Sequence, residues 1–193
     1  MSFHLPKPLF SFLAKTTGKK ALIWFIVTNA VYACMLLYTI PYTVNLAGGM
    51  ALPDMMPLGY DHAYVIRLLH SLGQEGRHAY LYTQIPLDMV YPGLFALAYA
   101  QVMAFFLLRL GRYHSALYIL CLLPVLAGTA DYLENFGIIS LIHHFPSVSA
   151  STVGITGAFS IIKSLSTTVY FFALIGIVIW FVAARPWANG KSA

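Results

Sequence analysis

The sequence predicts an all-α integral membrane protein: a four-helix bundle with a short amphipathic helix in its outer loop. Three observations predict it. The apolar fraction is 60%, only 9% of the 193 residues are charged, and mean hydropathy is +0.76. A soluble domain averages about 45–50% apolar and about 25% charged, so lipid must solvate much of this chain. Four stretches each approach or exceed the ~20 apolar residues that a spanning helix needs. Basic residues flank those stretches unevenly, as the positive-inside rule requires.

The first span runs from about Ala21 to Leu46, after Lys19 and Lys20. Its apolar stretch is longer than the ~7–15 residues of a signal-peptide core. Cleavage after Ala47 would leave the other three helices oriented as below. The outer loop follows, opening with a turn-rich stretch from Gly48-Gly49 to Pro57-Leu58-Gly59. Tyr64, Val65, Leu68, Leu69 and Leu72 then recur at helical spacing, with Asp61, His62, Arg67 and His70 between them. This predicts an amphipathic helix over about 60–72 that lies on the outer leaflet or caps the bundle. Gly73-Gln74-Glu75-Gly76 should break it, and a new helix should start near Arg77.

The second span covers about 85–110, with Pro86 and Pro92 as kinks whose freed backbone groups neighbours must satisfy. The third covers about 115–142 and the fourth about 161–184, stopped by Arg185 and Pro186. Between them lies an uncharged loop over 146–152, with the fourth helix beginning near Gly154. Gly154 and Gly157 are candidates for a close helix approach. All 193 residues form one domain, and no internal repeat stands out.

Charge orients the spans. Lys7, Lys15, Lys19, Lys20, Arg109, Arg112, Arg185 and Lys191 fall on one side, whereas only Arg67, Arg77 and Lys163 fall toward the other. The first side is therefore cytoplasmic and carries both termini. That topology suits a plasma membrane, the inner membrane if the source is bacterial. The net charge of +5 is membrane anchoring, not a nucleic-acid surface. Cys34 and Cys121 are isolated within apolar helices and read as small buried packing residues. Without a CxxC, disulfide chemistry and structural zinc are poorly supported.

Ionisable residues within spans cost about 2.5–3.5 kcal/mol each on insertion scales and are functional candidates by default. Here they are Asp88 in the first turns of span two, Asp131 and Glu134 in span three, and Lys163 at the outer start of span four. Asp131, Glu134 and Asn135 stand at i, i+3 and i+4 and share a helix face. Asp131 lies 16 residues beyond Ser115, roughly 24 Å along a helix, which puts it in the outer half. Polar faces at matching depth should meet inside the bundle. Three carboxylates against one lysine leave a negative pocket that takes up a proton or a cation.

His62, His70, His78, His143 and His144 lie outside or at the outer helix ends and read as interfacial. No HxxxH or HExxH spacing marks a metal site, and no cofactor is called for. Most tyrosines and tryptophans, including Tyr60, Tyr80, Tyr82, Tyr113, Trp24, Trp180 and Trp187, fall near span ends as interfacial belts. Tyr91, one turn from Asp88, is placed to donate a hydrogen bond into the polar cluster.

Glu75-Gly76-Arg77, Tyr80, Asp88-Met89-Val90-Tyr91-Pro92 and Asp131-Tyr132-Leu133-Glu134-Asn135 together form a pattern over about residue 60 to the end. It resembles that of small uncharacterised bacterial four-span membrane proteins. The resemblance implies the fold and no activity. Vitamin K epoxide reductases, small multidrug transporters, tetraspanins and claudins do not fit, for want of a CxxC, a first-span glutamate or cysteines in the outer loops.

Two functions stay open. One is acid–base chemistry on, or binding of, a lipid or apolar small molecule. Asp131 and Glu134 would be the acid–base pair, Asp88 a third member, and Asn135, Lys163 and Tyr91 would orient or bind. The other is a non-enzymatic assembly partner, a sensor or a small proton-coupled carrier, with the cluster structural. Four helices are few for a carrier, so transport would call for a homo-oligomer. A lateral opening at the cluster favours the first reading, and a closed lysine–carboxylate knot favours a structural cluster.

Overall fold

A computed structural model describes residues 7–184. Arg185, Pro186, Trp187 and Lys191, which the sequence assigned to the end of the last helix and to the basic side, lie outside the described residues. Among the described residues there is no strand.

Five helical runs follow one another: α1 (Lys7–Ala14), then α2 (Gly18–Leu46), α3 (His62–Arg109), α4 (Ala116–His144) and α5 (Ala150–Ala183), the last four long and apolar enough to cross a membrane. α1 was not legible as a separate helix. It packs at the terminal end of the bundle, where the Tyr113 hydroxyl donates to the Phe10 carbonyl and Leu13 is fully buried.

α2 starts three residues before the expected boundary. The Thr17 side chain accepts the Lys20 N–H and caps it. A five-residue π segment, Met35–Thr39, precedes Pro41. The same device recurs in α3, where a π segment, Tyr80–Gln84, precedes Pro86. A proline cannot donate to the carbonyl four residues back and crowds it, and a π-bulge is one way for a helix to absorb such a break. Leu37-Tyr38-Thr39-Ile40-Pro41 and Leu81-Tyr82-Thr83-Gln84-Ile85-Pro86 thus share one local shape. The two touch: the Thr39 hydroxyl donates to Gln84 Oε1 at 2.5 Å.

In α3 the break over 73–76 narrows to a single residue. Gly73 alone leaves helical geometry, at φ 60° and ψ −166°, a left-handed φ that glycine accommodates. The arm before it is capped by Asp61, whose carboxylate accepts the Tyr64 N–H at 2.6 Å. Its Val65, Leu68, Leu69 and Leu72 are buried against the far end of the bundle. Arg77 bridges the kink, donating to the Leu69 carbonyl at 2.7 Å while its guanidinium lies over the Phe145 ring.

α5 begins at Ala150, earlier than expected, because the chain reverses within five residues after α4. The helices do not form an even square. α4 packs along both α3 and α5, while α2 makes its main contacts with α3. Much of α2 and α5 is therefore uncovered apolar surface, with Leu22, Ile26, Leu37, Phe172 and Ile179 all exposed. Cys34 lies on that surface and is exposed, contrary to expectation, whereas Cys121 is buried. Gly154 faces open space, and Gly157 is approached by the Tyr60 backbone rather than by a helix. The close crossings are elsewhere. A Cβ on Gly128 would stand 2.6 Å from the Pro92 carbonyl oxygen, and one on Gly137 would collide with Thr156.

Candidate functional site: a buried polar cluster beneath a loop

The three helices bring the expected residues together. Lys163 Nζ lies 3.1 Å from Asp131 Oδ1 and 2.5 Å from Glu134 Oε2. Glu134 and Asn135 are 0% exposed, Asp88 3% and Asp131 6%. Antiparallel packing produces the meeting. Glu134 stands 10 residues before the end of α4, and Lys163 stands 13 residues after the start of α5. The cluster thus lies about 15–20 Å below the far ends of these helices, deeper than the sequence suggested. Asp88, 15 residues past Gly73, is at a matching level.

Asn135 has a specific partner. Its Nδ2 donates to the Asp88 carbonyl at 3.0 Å. That carbonyl is the one Pro92, inside α3, cannot serve, because proline has no N–H for the residue four back. Asn135 supplies the missing donor from the neighbouring helix. Its Oδ1 and the Asp88 Oδ2 are buried without a hydrogen-bond partner.

The connection over 47–61 roofs the cluster, and here the sequence reading missed residues. Leu52 and Pro53 are buried, and Pro53–Met55 forms a 3₁₀ turn. Asp54 accepts from the Tyr80 hydroxyl at 2.5 Å and from Gln84 Nε2 at 3.3 Å. It is within electrostatic reach of Asp88, Asp131, Glu134 and Lys163. Ser160 donates to the Met56 carbonyl at 3.2 Å, and the Tyr60 hydroxyl to Glu134 Oε1 at 3.5 Å. Burial, then the negative charges of Glu134 and Asp54, push the Tyr60 phenol well above its ordinary range, so it stays a donor. Tyr60 and Tyr80 are therefore cluster members, not interfacial belt. Asp54 lay in a turn-rich loop with no helical periodicity to assign it a face, so only its charge could have flagged it.

Tyr91 stands within electrostatic reach of Asp88 and Asp131 but makes no hydrogen bond to them. Its ring stacks on Tyr32 at 5.2 Å and packs on Phe95 at 5.9 Å, and no hydrogen bond from its hydroxyl occurs among the described residues. The histidines are more engaged than an interfacial reading implied. His62 Nε2 is 3.0 Å from the Val148 carbonyl, His144 Nδ1 2.8 Å from the Ser140 carbonyl, and His70 packs edge-on against Phe145. No group of three metal-ligating side chains occurs among the described residues.

The site is closed. Two surface grooves lie away from it. One, of about 190 Å³, sits between the far ends of α4 and α5, and one of about 330 Å³ lies between α2 and α3 near the terminal end.

Fold and site together define a class: a helical protein with four membrane-length apolar helices and an ion-paired polar cluster in its interior. No protein-family model, curated protein or solved structure matches the chain.

Proposed function

We propose that the chain is a multi-pass plasma-membrane protein with cytoplasmic termini, and that its polar cluster divides into two parts. Asp131, Glu134, Lys163 and Asn135 tie α3, α4 and α5 together. Asp88, with Asp54 beside it, is the working edge, which binds a lipid or apolar small molecule and exchanges a proton with it. The observation that carries this reading is the imbalance of partners. Lys163 serves both Asp131 and Glu134, whereas a carboxylate oxygen of Asp88 is buried with none. A purely structural tie needs no surplus acid, and an unpaired intramembrane carboxyl is costly. Access would come from movement of the 47–61 roof, which is bounded by Gly48, Gly49 and Gly59, all at positive φ.

The closed roof and the complete Lys163 knot favour a second reading, a non-enzymatic protein whose whole cluster is structural. Mass spectrometry of small molecules co-purifying with the protein in detergent separates the two. Under the first reading Asp88→Asn keeps the fold and sheds a bound lipid or metabolite. An Asp88→Asn protein that loses its fold, or a native protein carrying nothing beyond bulk lipid, sinks it.

A further inference from the structure

We propose a second, separate lipid site at the terminal end of the bundle: a groove between α2 and α3 that holds an anionic phospholipid of the cytoplasmic leaflet. The inference rests on the membrane-spanning reading above but not on any role for the polar cluster.

The groove has a volume of about 330 Å³ and is lined by Gly18, Ala21, Leu22, Phe25, Val102 and Phe105 among others, almost wholly apolar. It exists because the first turn of α2 carries Gly18 and Ala21 against α3. A Cβ at Gly18 would stand 3.1 Å from the Phe105 ring. In a bilayer, an apolar trough on the lateral surface of two spanning helices is filled by an acyl chain.

Its rim selects the headgroup. Lys19 and Lys20 follow Gly18 directly, and both are exposed. Across the groove the Arg109 guanidinium lies 5.4 Å from the centroid of Phe105, a lining residue. None of the three has an acidic partner, since Lys163 makes the salt bridges found among the described residues. All six acidic residues lie from Asp54 to Glu134, and none falls in α1, at the start of α2 or at the end of α3. Three cations with no acidic partner among the described residues, around an apolar trough, complement a lipid phosphate above its chain. The start of α2 adds the positive end of a helix dipole on the same side.

A basic residue close to an anionic membrane surface strengthens binding by a factor of about five. The test is native mass spectrometry of the full chain in detergent, titrated with phosphatidylglycerol and phosphatidylcholine of identical acyl chains. Wild type should retain phosphatidylglycerol preferentially. The Lys19→Gln, Lys20→Gln, Arg109→Gln protein should lose that preference by at least about fivefold while still holding some lipid of both kinds. Val102→Phe, which fills the trough, should lower retention of both lipids and leave their ratio unchanged. Equal retention of the two lipids by wild type, or an unchanged preference in the triple variant, overturns the site. A chain that needs no detergent would instead overturn the membrane reading itself.

Discussion

Asn135 Nδ2 donates to the carbonyl of Asp88, the oxygen that Pro92 leaves without a helical donor. The proline and the asparagine act as one unit across two helices. Replacing Asn135 by Leu orphans a buried carbonyl, and that costs about 1–3 kcal/mol. In a Pro92→Ala background the helix regains its own N–H donor at that turn. Thermal unfolding in detergent should therefore give a smaller cost for Asn135→Leu in the Pro92→Ala protein than in wild type. Additive costs would mean that Asn135 is held there for another reason.

Lys163 carries the second prediction. Lys163→Met leaves Asp131 and Glu134 facing each other without a cation, in a site with almost no solvent. Removing one partner of a buried ion pair costs about 3–5 kcal/mol. Neutralising all three, with Asp131→Asn, Glu134→Gln and Lys163→Met together, removes the stranded charges and should recover much of that loss. Unfolding midpoints of the single and triple variants decide it. A triple variant as unstable as the single one would show that shape, not charge, holds the knot.

The helices and the depth match of their acids were legible because hydropathy and 3.6-residue periodicity are local properties of the sequence. Asp131, Glu134 and Asn135 had to share a face, and burying that face forced it toward whatever polar groups stood level with it. The roof was not legible. Asp54 and Tyr60 reach the cluster through a connection with no period, and only tertiary packing fixes where Leu52 and Pro53 insert. The partner of Asn135 was half legible: Pro92 announced an orphan carbonyl, but not which side chain would answer it. The hydrogen bond expected of Tyr91 is missing for a related reason. One turn from Asp88 the tyrosine had the right face, yet an aromatic neighbour, Tyr32 on α2, took its ring. Sequence spacing on one helix says nothing about what the next helix presents.

The crossing of α3 and α4 gives a third prediction. At Gly128 an added Cβ would meet backbone, the Pro92 carbonyl oxygen, which cannot rotate away. Gly128→Ala should cost about 1–3 kcal/mol as overpacking and should weaken the Asn135 bond two turns along. Gly154→Ala meets nothing within 4 Å. It should be neutral or slightly stabilising, since alanine is the better helix former by about 1 kcal/mol. A lowered unfolding midpoint for Gly128→Ala beside an unchanged or raised one for Gly154→Ala is the expected result.

Tyr60 tests the roof by pH. In the unfolded chain a tyrosine ionises near about pH 10. In the folded protein burial and the charges of Glu134 and Asp54 hold the Tyr60 phenol protonated well beyond that. Above the unfolded value the folded state therefore binds more protons than the unfolded state, and stability falls as pH rises. Below it Tyr60 gives no pH dependence. The effect belongs to the closed roof, because an open one would return the phenol to water and to its ordinary ionisation. Tyr60→Phe should thus lose less stability than wild type between about pH 10 and 11, while differing from it by a constant amount at neutral pH. Parallel curves for the two proteins across the alkaline range would mean that Tyr60 ionises as freely in the folded chain as in the unfolded one, and that the 47–61 connection does not seal the cluster in solution.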